Sequence, residues 1–553
     1  MKLFYITIAL FLCNNISYSQ NIDWINAKQS EKYWGASVSA KTDNSNNLYI
    51  TGFFHNYGFS FEGDTLINSG DDDIYLVKYD ENGSISWVKS YGNSGRERPT
   101  DMAIDINGNI YLVGHFNSNT IQFDSYTLTT NGGDDIFLIK IDPTGNVLWA
   151  KNYGTAGYEA AYSVSTDDVG NVYFIGHYND NPITIDTISL SNQGGYDVVF
   201  AKLNPSGDVI WAKNISSSTT EVGRSIIIDS LNNIYITGYY TASSISVDGI
   251  TLTNNGTSNE MYIAKFNSDG DVLWAKSAGG TDMESGYKVT IGESGNVYVN
   301  GMIRSNEVDF GGVVLYNTSG TEKDFIVKYN STGQALWGKI IEASIKDVVV
   351  NSLGDVTITG SFNKESIDVD TELLVNNSEW SEDMGVIIYK TDLFLANYNL
   401  DGELQLAESI GSLKDESANS ICIDNSGSYY LLGDYASDTI NFGQLPLYYP
   451  DAISIYIRTF IVKFDMSNNV GIEFYLSEPQ VNIYPNPTKD FVNVQVNNND
   501  LSIISVIDIS GRLLIKESFN NNIKIETKDF EKGVYNLKIE TYNKVITKRV
   551  VVY

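Results

Sequence analysis

Cysteine is almost absent from this chain, which has only Cys13 and Cys422. Cys13 lies in an N-terminal leader, where Lys2 precedes the apolar run LFYITIALFLC and then NNISYS, with small residues Ser17 and Ser19 before a cleavage point near Gln20. That pattern predicts a secretory signal peptide over residues 1–19. Leu12 stands where lipoprotein processing needs a small residue, so Cys13 is not read as a lipid anchor. Cys422 is then left alone, which excludes an intrachain disulfide and assigns stability to burial and sheet hydrogen bonding. No later segment approaches the roughly 18 uninterrupted apolar residues of a spanning helix, so no transmembrane segment is expected in the mature chain. Positive charge is also scarce, with 36 Lys and Arg against 68 Asp and Glu and a formal net charge of -32. Residues 480–553 hold ten basic and eight acidic side chains and residues 1–19 only Lys2, so residues 20–479 carry -32 - 2 - 1 = -35. Such a field repels phosphate backbones and anionic lipid, which argues against nucleic-acid or membrane-surface binding and fits solubility outside the cell.

What is abundant is turn and strand chemistry, with 47 Gly, 37 Tyr and only 9 Pro. The decisive feature is internal repetition. Trp24, Trp87, Trp149, Trp211, Trp274 and Trp337 recur every 62 or 63 residues inside WAK-like cassettes, and Leu406 takes the same place in a seventh unit. A second mark, as in NIYLVG and NVYFIG, closes at Gly52, Gly114, Gly176, Gly238, Gly301, Gly360 and Gly433, with tyrosine three residues earlier except at Thr357. A third pairs an apolar residue with a leucine five positions on, from Phe61 with Leu66 to Phe442 with Leu447. A fourth sets an acidic residue (Asp73, Asp135, Asp197, Glu260, Asp324) before a strand ending in lysine, which becomes Asn397 in the sixth unit.

These short Val-, Ile-, Tyr- and Phe-rich segments, bounded by Gly, Asn and Asp, read as strands joined by tight turns. Each unit of about 62 residues is therefore a small antiparallel sheet of about four strands. Such a sheet cannot bury both faces alone, so the units must stack. Closure into a ring is favoured, because the terminal units are as apolar as the others and would make poor caps. WINAK at 24–28 is a last strand without a preceding unit, so it is expected to pair with FIVKFD at 460–465. The fold expected is all-β: a seven-bladed β-propeller over 20–475 whose N-terminal strand closes the last blade, a linker at 476–482, and a small Ig-like β-sandwich over 483–553. The glycine-closed tyrosine strand followed by an acidic residue, an apolar strand, a turn and LWAK resembles the bacterial SBBP propeller repeat. That resemblance implies a fold and no single activity.

From residue 480 the repeat gives way to alternating segments FVNVQV, SIISVIDISGRLL, IKIET and VYNLKIE, as in a sandwich of about seven strands. Tyr484, Pro485, Asn486 and Pro487, the ISGRLL turn with Gly511, the GVYNLKI strand with Gly533 and Tyr535, and the ending TKRVVVY resemble the type A C-terminal sorting domain of the type IX secretion system of Gram-negative bacteria. The chain departs from that pattern at Tyr553, where the family often ends in lysine. The resemblance implies the type IX machinery as partner, passage across the outer membrane, removal of the module, and release or attachment to surface glycolipid.

Catalytic signatures are missing: no GxSxG, HExxH, CxxC or phosphate-binding glycine loop occurs. Residues that repeat in every unit belong to the scaffold, and the repeated acids read as caps for backbone amides. The run Asp71–Asp73 is a weak calcium candidate, since no alternating ligand loop follows, and no cofactor is expected. His115 and His177 fall at equivalent positions and lack a third ligand, so they read, with His55, as solvated strand-end histidines. The better clues are departures from symmetry. The sixth unit is enlarged around Glu379, Trp380, Glu382 and Asp383, and the seventh carries Tyr448 and Tyr449 in the same connection. Trp380, Tyr448 and Tyr449 are expected to form an aromatic patch suited to sugar rings or a surface protein. The leading expectation is an exported, non-enzymatic binding protein. A secreted polysaccharide hydrolase or lyase with channel carboxylates, and a purely structural surface component, remain the alternatives.

Overall fold

The computed structural model describes residues 20–30, 35–55, 59–61, 64–292, 295–378, 380–383, 386–448, 457–468, 481–484, 486–496, 501–508, 512–520, 522–541 and 544–553. No α-helix occurs among them, and none is long and apolar enough to cross a membrane. The chain divides into two compact units, one of Ser19–Asn468 and one containing Asn469–Tyr553.

Four-stranded antiparallel sheets recur through the larger unit, seven among the described residues. The first consists of Gly35–Thr42, Leu48–Phe54, Asp73–Tyr79 and Ile85–Tyr91 in chain order, and the next five follow the same plan. The seventh is composite: Glu416–Ile423, Tyr429–Tyr435 and Arg458–Asn468 are completed by Gln20–Gln29 from the other end of the chain. The expected pairing of WINAK with FIVKFD is present, with Trp24 opposite Phe464 and Lys28 opposite Ile461. The first strands, Gly35–Thr42, Glu97–Ile104, Ala160–Thr166, Glu221–Ile228, Glu284–Ile291, Ser344–Val350 and Glu416–Ile423, touch one another in sequence, and the last touches the first. A propeller-type ring is thereby closed, with the first strands innermost. Middle strands are buried on both faces, as in Asp135–Ile141 and Val172–Tyr178, because each sheet is covered by its neighbours. The third sequence mark is a satellite hairpin: Phe123 pairs with Tyr126 and Ile121 with Leu128, so Phe123 and Leu128 share the buried side.

The first, second and fourth marks converge on one joint between neighbouring sheets. Trp149 Nε1 and Lys140 Nζ both donate to the carbonyl of Pro205 in the next sheet, at 3.2 and 3.0 Å, while Tyr111 meets Trp149 edge to face and lies under the Lys140 ammonium. The same tryptophan donation runs from Trp87 to Pro143, Trp211 to Ser268, Trp274 to Ser331 and Trp337 to Leu400. Gly207 closes the accepting turn at φ +87°, and a Cβ there would come within 3.1 Å of the Trp149 ring, so both conformation and space demand glycine. Thr357, Asn397 and Leu406, which the repeat count divides between the sixth and seventh units, all fall in the sixth sheet, where they are the missing tyrosine, lysine and tryptophan of a single joint. Asn397 donates to Thr357 Oγ1 instead, at 2.9 Å. Replacing Trp149 by alanine should cost about 2–3 kcal/mol, below the value for a fully buried tryptophan because its ring is partly exposed. Urea unfolding at constant m-value checks it, and Leu406→Ala should cost less.

The repeated acids are caps. Asp73, Asp135, Asp197, Glu260 and Asp392 accept backbone amides of Ser69, Asn131, Gln193, Asn255 and Asn377. Glycine lies against several of them: a Cβ on Gly154 would sit 2.1 Å from the Asp135 carboxyl carbon. In the fifth sheet the equivalent place belongs to Lys323, not Asp324, since Lys323 opposes Ile303 at the strand start as Asp135 opposes Phe116. There Lys323 pairs with Glu342, so an ion pair replaces the acid and glycine. A second acid series, Glu97, Glu159, Glu221, Glu284 and Glu416, opens the first strands and caps the loops that enter them, as Glu159 accepts Thr155 N and Oγ1 at 2.7 and 2.8 Å.

In the smaller unit a three-stranded sheet (Val481–Tyr484, Phe491–Val496, Asn522–Glu526) and a four-stranded sheet (Leu501–Ile507, Leu513–Asn520, Gly533–Thr541, Lys544–Val552) share one core of Val492, Val494, Ile504, Val506, Leu537, Ile539 and Val550. Most of the expected linker, residues 476–480, lies outside the described residues.

Candidate functional site

The register places the start of each first strand, the end of the second and the start of the third at one end of every sheet, as with Glu97, Phe116 and Asp135. The enlarged connections of the sixth and seventh sheets open from that end. The sixth forms an extra hairpin, Trp380–Asp383 with Val386–Tyr389. Tyr448 ends the strand Leu445–Tyr448 with its ring 64% exposed, and its carbonyl accepts Gln29 Nε2. The Trp380 side chain and Tyr449 lie outside the described residues, as do Glu379, Pro485 and Gly511. In the C-terminal unit Asn486 donates to Arg549 O and accepts Val551 N, which ties the sorting motif to the last strand. Tyr535 is buried, and its hydroxyl donates to Glu531 O. Gly533 begins that strand, Pro487 follows a cis bond from Asn486, and Tyr484 is half exposed.

The first strands bring together what sequence spacing did not. Each carries a bulge at the same place, and the unpaired residue there is Val38, Thr100, Tyr162, Arg224, Tyr287, Lys346 or Asn419. A bulge re-aims its side chain out of the sheet's alternation. The next residues, among them Asp101, Lys288 and Asp347, tie neighbouring sheets. Asp101 accepts Met102 N, Ser163 Oγ and Val164 N at 2.8, 2.9 and 3.2 Å. Asp347 accepts Val348 N, Ile421 N and Ser420 Oγ and pairs with Lys288, which holds its carboxyl below the usual range against the opposing effect of burial. These carboxylates are consumed in the scaffold and present no free acid to a substrate.

At the mouth above them, sheets two to five contribute aromatic and basic side chains. His115, His177 and Tyr239, each following a second-mark glycine, join the bulge residues Tyr162, Arg224 and Tyr287, and Phe53 reaches the mouth from the first sheet. Arg98 stacks on Phe53 and is neutralised by Asp72, at 2.7 and 2.6 Å, which also meets His55 Nδ1 at 3.0 Å. Asp72 is thus committed to Arg98 and His55, and Asp73 to the cap at Ser69. Arg224 differs. Its guanidinium lies 4.5 Å over Tyr162 and 5.8 Å from Tyr239, its Nε is buried without a hydrogen-bond partner, and no carboxylate pairs with it among the described residues. His177 is packed between Tyr162 and Tyr196, at 5.3 and 4.4 Å between ring centres. It is only 8% exposed and its Nδ1 has no partner. Burial, with the Arg224 charge second, pulls its pKa down to about 3, so it is neutral. His115 is shifted down by burial as well, and its Nδ1 is likewise unpartnered. The expectation of solvated histidines is corrected at His177, which Tyr162 and Tyr196, from the neighbouring strands of its own sheet, cover, whereas His115 is half-buried. His55 is partly open as well, on Asp72.

Arg224, Tyr162 and Tyr287 were missed because they repeat in position and not in type. One signal was available: each stands three residues after a glutamate, in EAAY, EVGR and ESGY, within a frame that gives Thr100 and Asn419 elsewhere.

Residues 482–553 match the family model described as the secretion system C-terminal sorting domain, so that domain is present. It implies export by type IX secretion to the cell surface or the extracellular space. Among curated proteins, an uncharacterized WD repeat-containing protein of Acanthamoeba polyphaga mimivirus is 23% identical, covering 77% of this chain and 37% of its own length. The regulatory protein FlaEY of Caulobacter vibrioides is 23% identical, covering 45% of this chain and 27% of its own. The chain thus spans about a third of the length of these relatives. Solved structures with similarity include a fungal alcohol oxidase of the AA5 family (10% identity, 96% of this chain and 99% of that one, TM-score 0.38) and the Pan2 WD40 domain of Neurospora crassa (9%, 66% and 88%, TM-score 0.26). Similarity at that level carries no argument about function.

Proposed function

We propose that this chain is an exported, non-enzymatic binding protein, a seven-bladed propeller of the SBBP-like kind that takes its ligand at the channel mouth formed by sheets two to five. One observation carries the reading: within a scaffold that repeats everything else, the bulge positions hold Tyr162, Arg224 and Tyr287, and the Arg224 cation has no carboxylate to neutralise it. A cation left unpaired within residues 20–479, which carry a formal charge of -35, costs solvation without adding stability, which is the mark of a group kept for a ligand. The acids at the channel and between the sheets are hydrogen-bonded caps, which speaks against hydrolysis by a carboxylate pair. Tyr448 ends its strand on a connection at the same end and forms a second contact in this reading, and joint replacement of Trp380, Tyr448 and Tyr449 by alanine should weaken ligand binding by less than changes at the mouth do.

Export is tested directly. Deleting residues 482–553 should leave the protein inside the outer membrane, with surface or medium levels falling to background in fractionation and immunoblotting. Binding is tested by exposing the secreted chain to arrayed glycans and cell-surface fractions, with Tyr162→Ala and Tyr239→Ala as variants. Ligand binding that survives both changes would place recognition elsewhere.

A further inference from the structure

We infer that the mouth binds a saccharide through one carboxylate, as in a uronic acid residue: Arg224 takes the carboxylate while Tyr162, Tyr239 and Tyr287 line the sugar ring. This rests on the reading of the mouth as a binding site and adds the class of ligand.

The charge argument comes first. Arg98, the other arginine of the mouth, is held by Asp72 from two nitrogens and is already neutralised. Arg224 is partly buried, stacked on Tyr162, and has no carboxylate partner among the described residues. A guanidinium's planar fork matches a carboxylate in two parallel hydrogen bonds, and stacking on a ring leaves that fork free. The surroundings then limit the ligand to a single charge. Asp72 and Asp134 are paired with Arg98 and Arg96, but Glu322 is felt at Tyr287 and the surrounding domain is strongly acidic, so a polyanion would meet repulsion beside its contact with Arg224. Arg224 is within electrostatic reach of His177 and Tyr287 as well as Tyr162, so carboxylate and rings belong to one site. Tyrosines offer a flat apolar face for the C–H face of a pyranose and a hydroxyl at the edge for its hydroxyls. An acidic peptide would also need amides or carbonyls with which to pair its backbone, and the first-strand ends are occupied by their own ladders and caps.

The full mature chain should be titrated calorimetrically with the singly charged methyl galacturonoside and methyl glucuronoside and with the carboxyl-reduced neutral form of each. Binding of at least one uronate is expected, at least about tenfold tighter than its reduced form, and Arg224→Gln should remove that preference by weakening the uronate alone about tenfold. Tyr287→Ala, at an exposed position that folding tolerates, should weaken both forms by about fivefold. Three results overturn the inference. Equal binding of charged and reduced forms, with loss on Tyr287→Ala, keeps the mouth as a binding site and removes the carboxylate. Absence of binding to either uronate removes the ligand class. Competition of an aspartate-ended peptide at equal affinity assigns the site to a protein carboxylate.

Discussion

A chain lacking residues 20–30 is expected to melt well below the parent and to aggregate as it does so. Gln20–Gln29 pairs along its whole length with Arg458–Asn468 and is the fourth strand of the seventh sheet. Four further contacts fasten it there: Ser30 N donates to Thr459 O at 2.9 Å, Thr459 N donates to Ser30 Oγ at 3.1 Å, and Gln29 bonds both Tyr435 and the Tyr448 carbonyl. Its removal exposes the peptide groups of Arg458–Asn468 as a new edge, above the buried Phe460, Val462 and Phe464. The sheets on either side of the gap also lose the closure that makes the ring cooperative. Differential scanning fluorimetry and size-exclusion chromatography read the effect, and a synthetic peptide of residues 20–30 should restore part of the melting temperature. A truncated chain that melts with the parent would show that the ring is not held shut at this strand.

Stability should also rise as the pH falls from 8 to 5, the reverse of a protein held together by surface ion pairs. Burial raises the pKa of Asp73 and Asp392 to about 6, and of Asp197, Glu260, Asp324 and Glu416 to about 7. Asp434 is raised to about 6, also by burial. The neighbouring Glu221 carboxyl adds to the rise at Asp197. Each group binds its proton more tightly folded than unfolded, so between its unfolded value, about 4, and its folded value the native state holds more protons. The stabilisation is full below the unfolded pKa and lost as pH rises through the folded one. The window is therefore pH 4 to 7, and with about 1.4 kcal/mol per unit and seven groups the sum reaches several kcal/mol after generous discounting. Asp347, Asp424 and Glu342 have lowered values and act oppositely, but their contribution is lost only below about pH 4, whereas His177 and His115, lowered by burial from 6.5, offset part of the gain as the pH falls below 6.5. Thermal midpoints at pH 5, 6.5 and 8 at constant ionic strength check the slope, and Glu260→Gln should remove its share. A midpoint that climbs toward pH 8 would contradict the buried, protonated caps.

Much of this architecture was legible because repetition exposes it. The tryptophan, the tyrosine, the lysine and the turn glycine recur at fixed spacing since they meet at one carbonyl between adjacent sheets, and a joint used repeatedly leaves a periodic trace. The closing strand was legible for a related reason, since a last strand without its unit must find one. The error over Asp324 shows the limit: an acid next to the expected place was aligned by type, while the ladder aligns Lys323 by register. The glutamates opening the first strands were overlooked because the cap they make, to a loop that crosses between sheets, has no local signature.

The candidate site was the least legible part. Tyr162, Arg224 and Tyr287 share a bulge, and a bulge is a property of the pairing between two strands, invisible in either one. His177 was read as solvated because its neighbours in sequence are a glycine and a tyrosine, whereas its neighbours in space, Tyr162 and Tyr196, arrive from other strands. The sequence alone therefore determined the repeat, the strand chemistry, the export leader as an expectation and the sorting module, all of which reside in local spacing. Only the tertiary structure decided which side chains face one another across the ring and which charge is left without a partner, because both depend on residues about 60 positions apart being brought within a few ångströms.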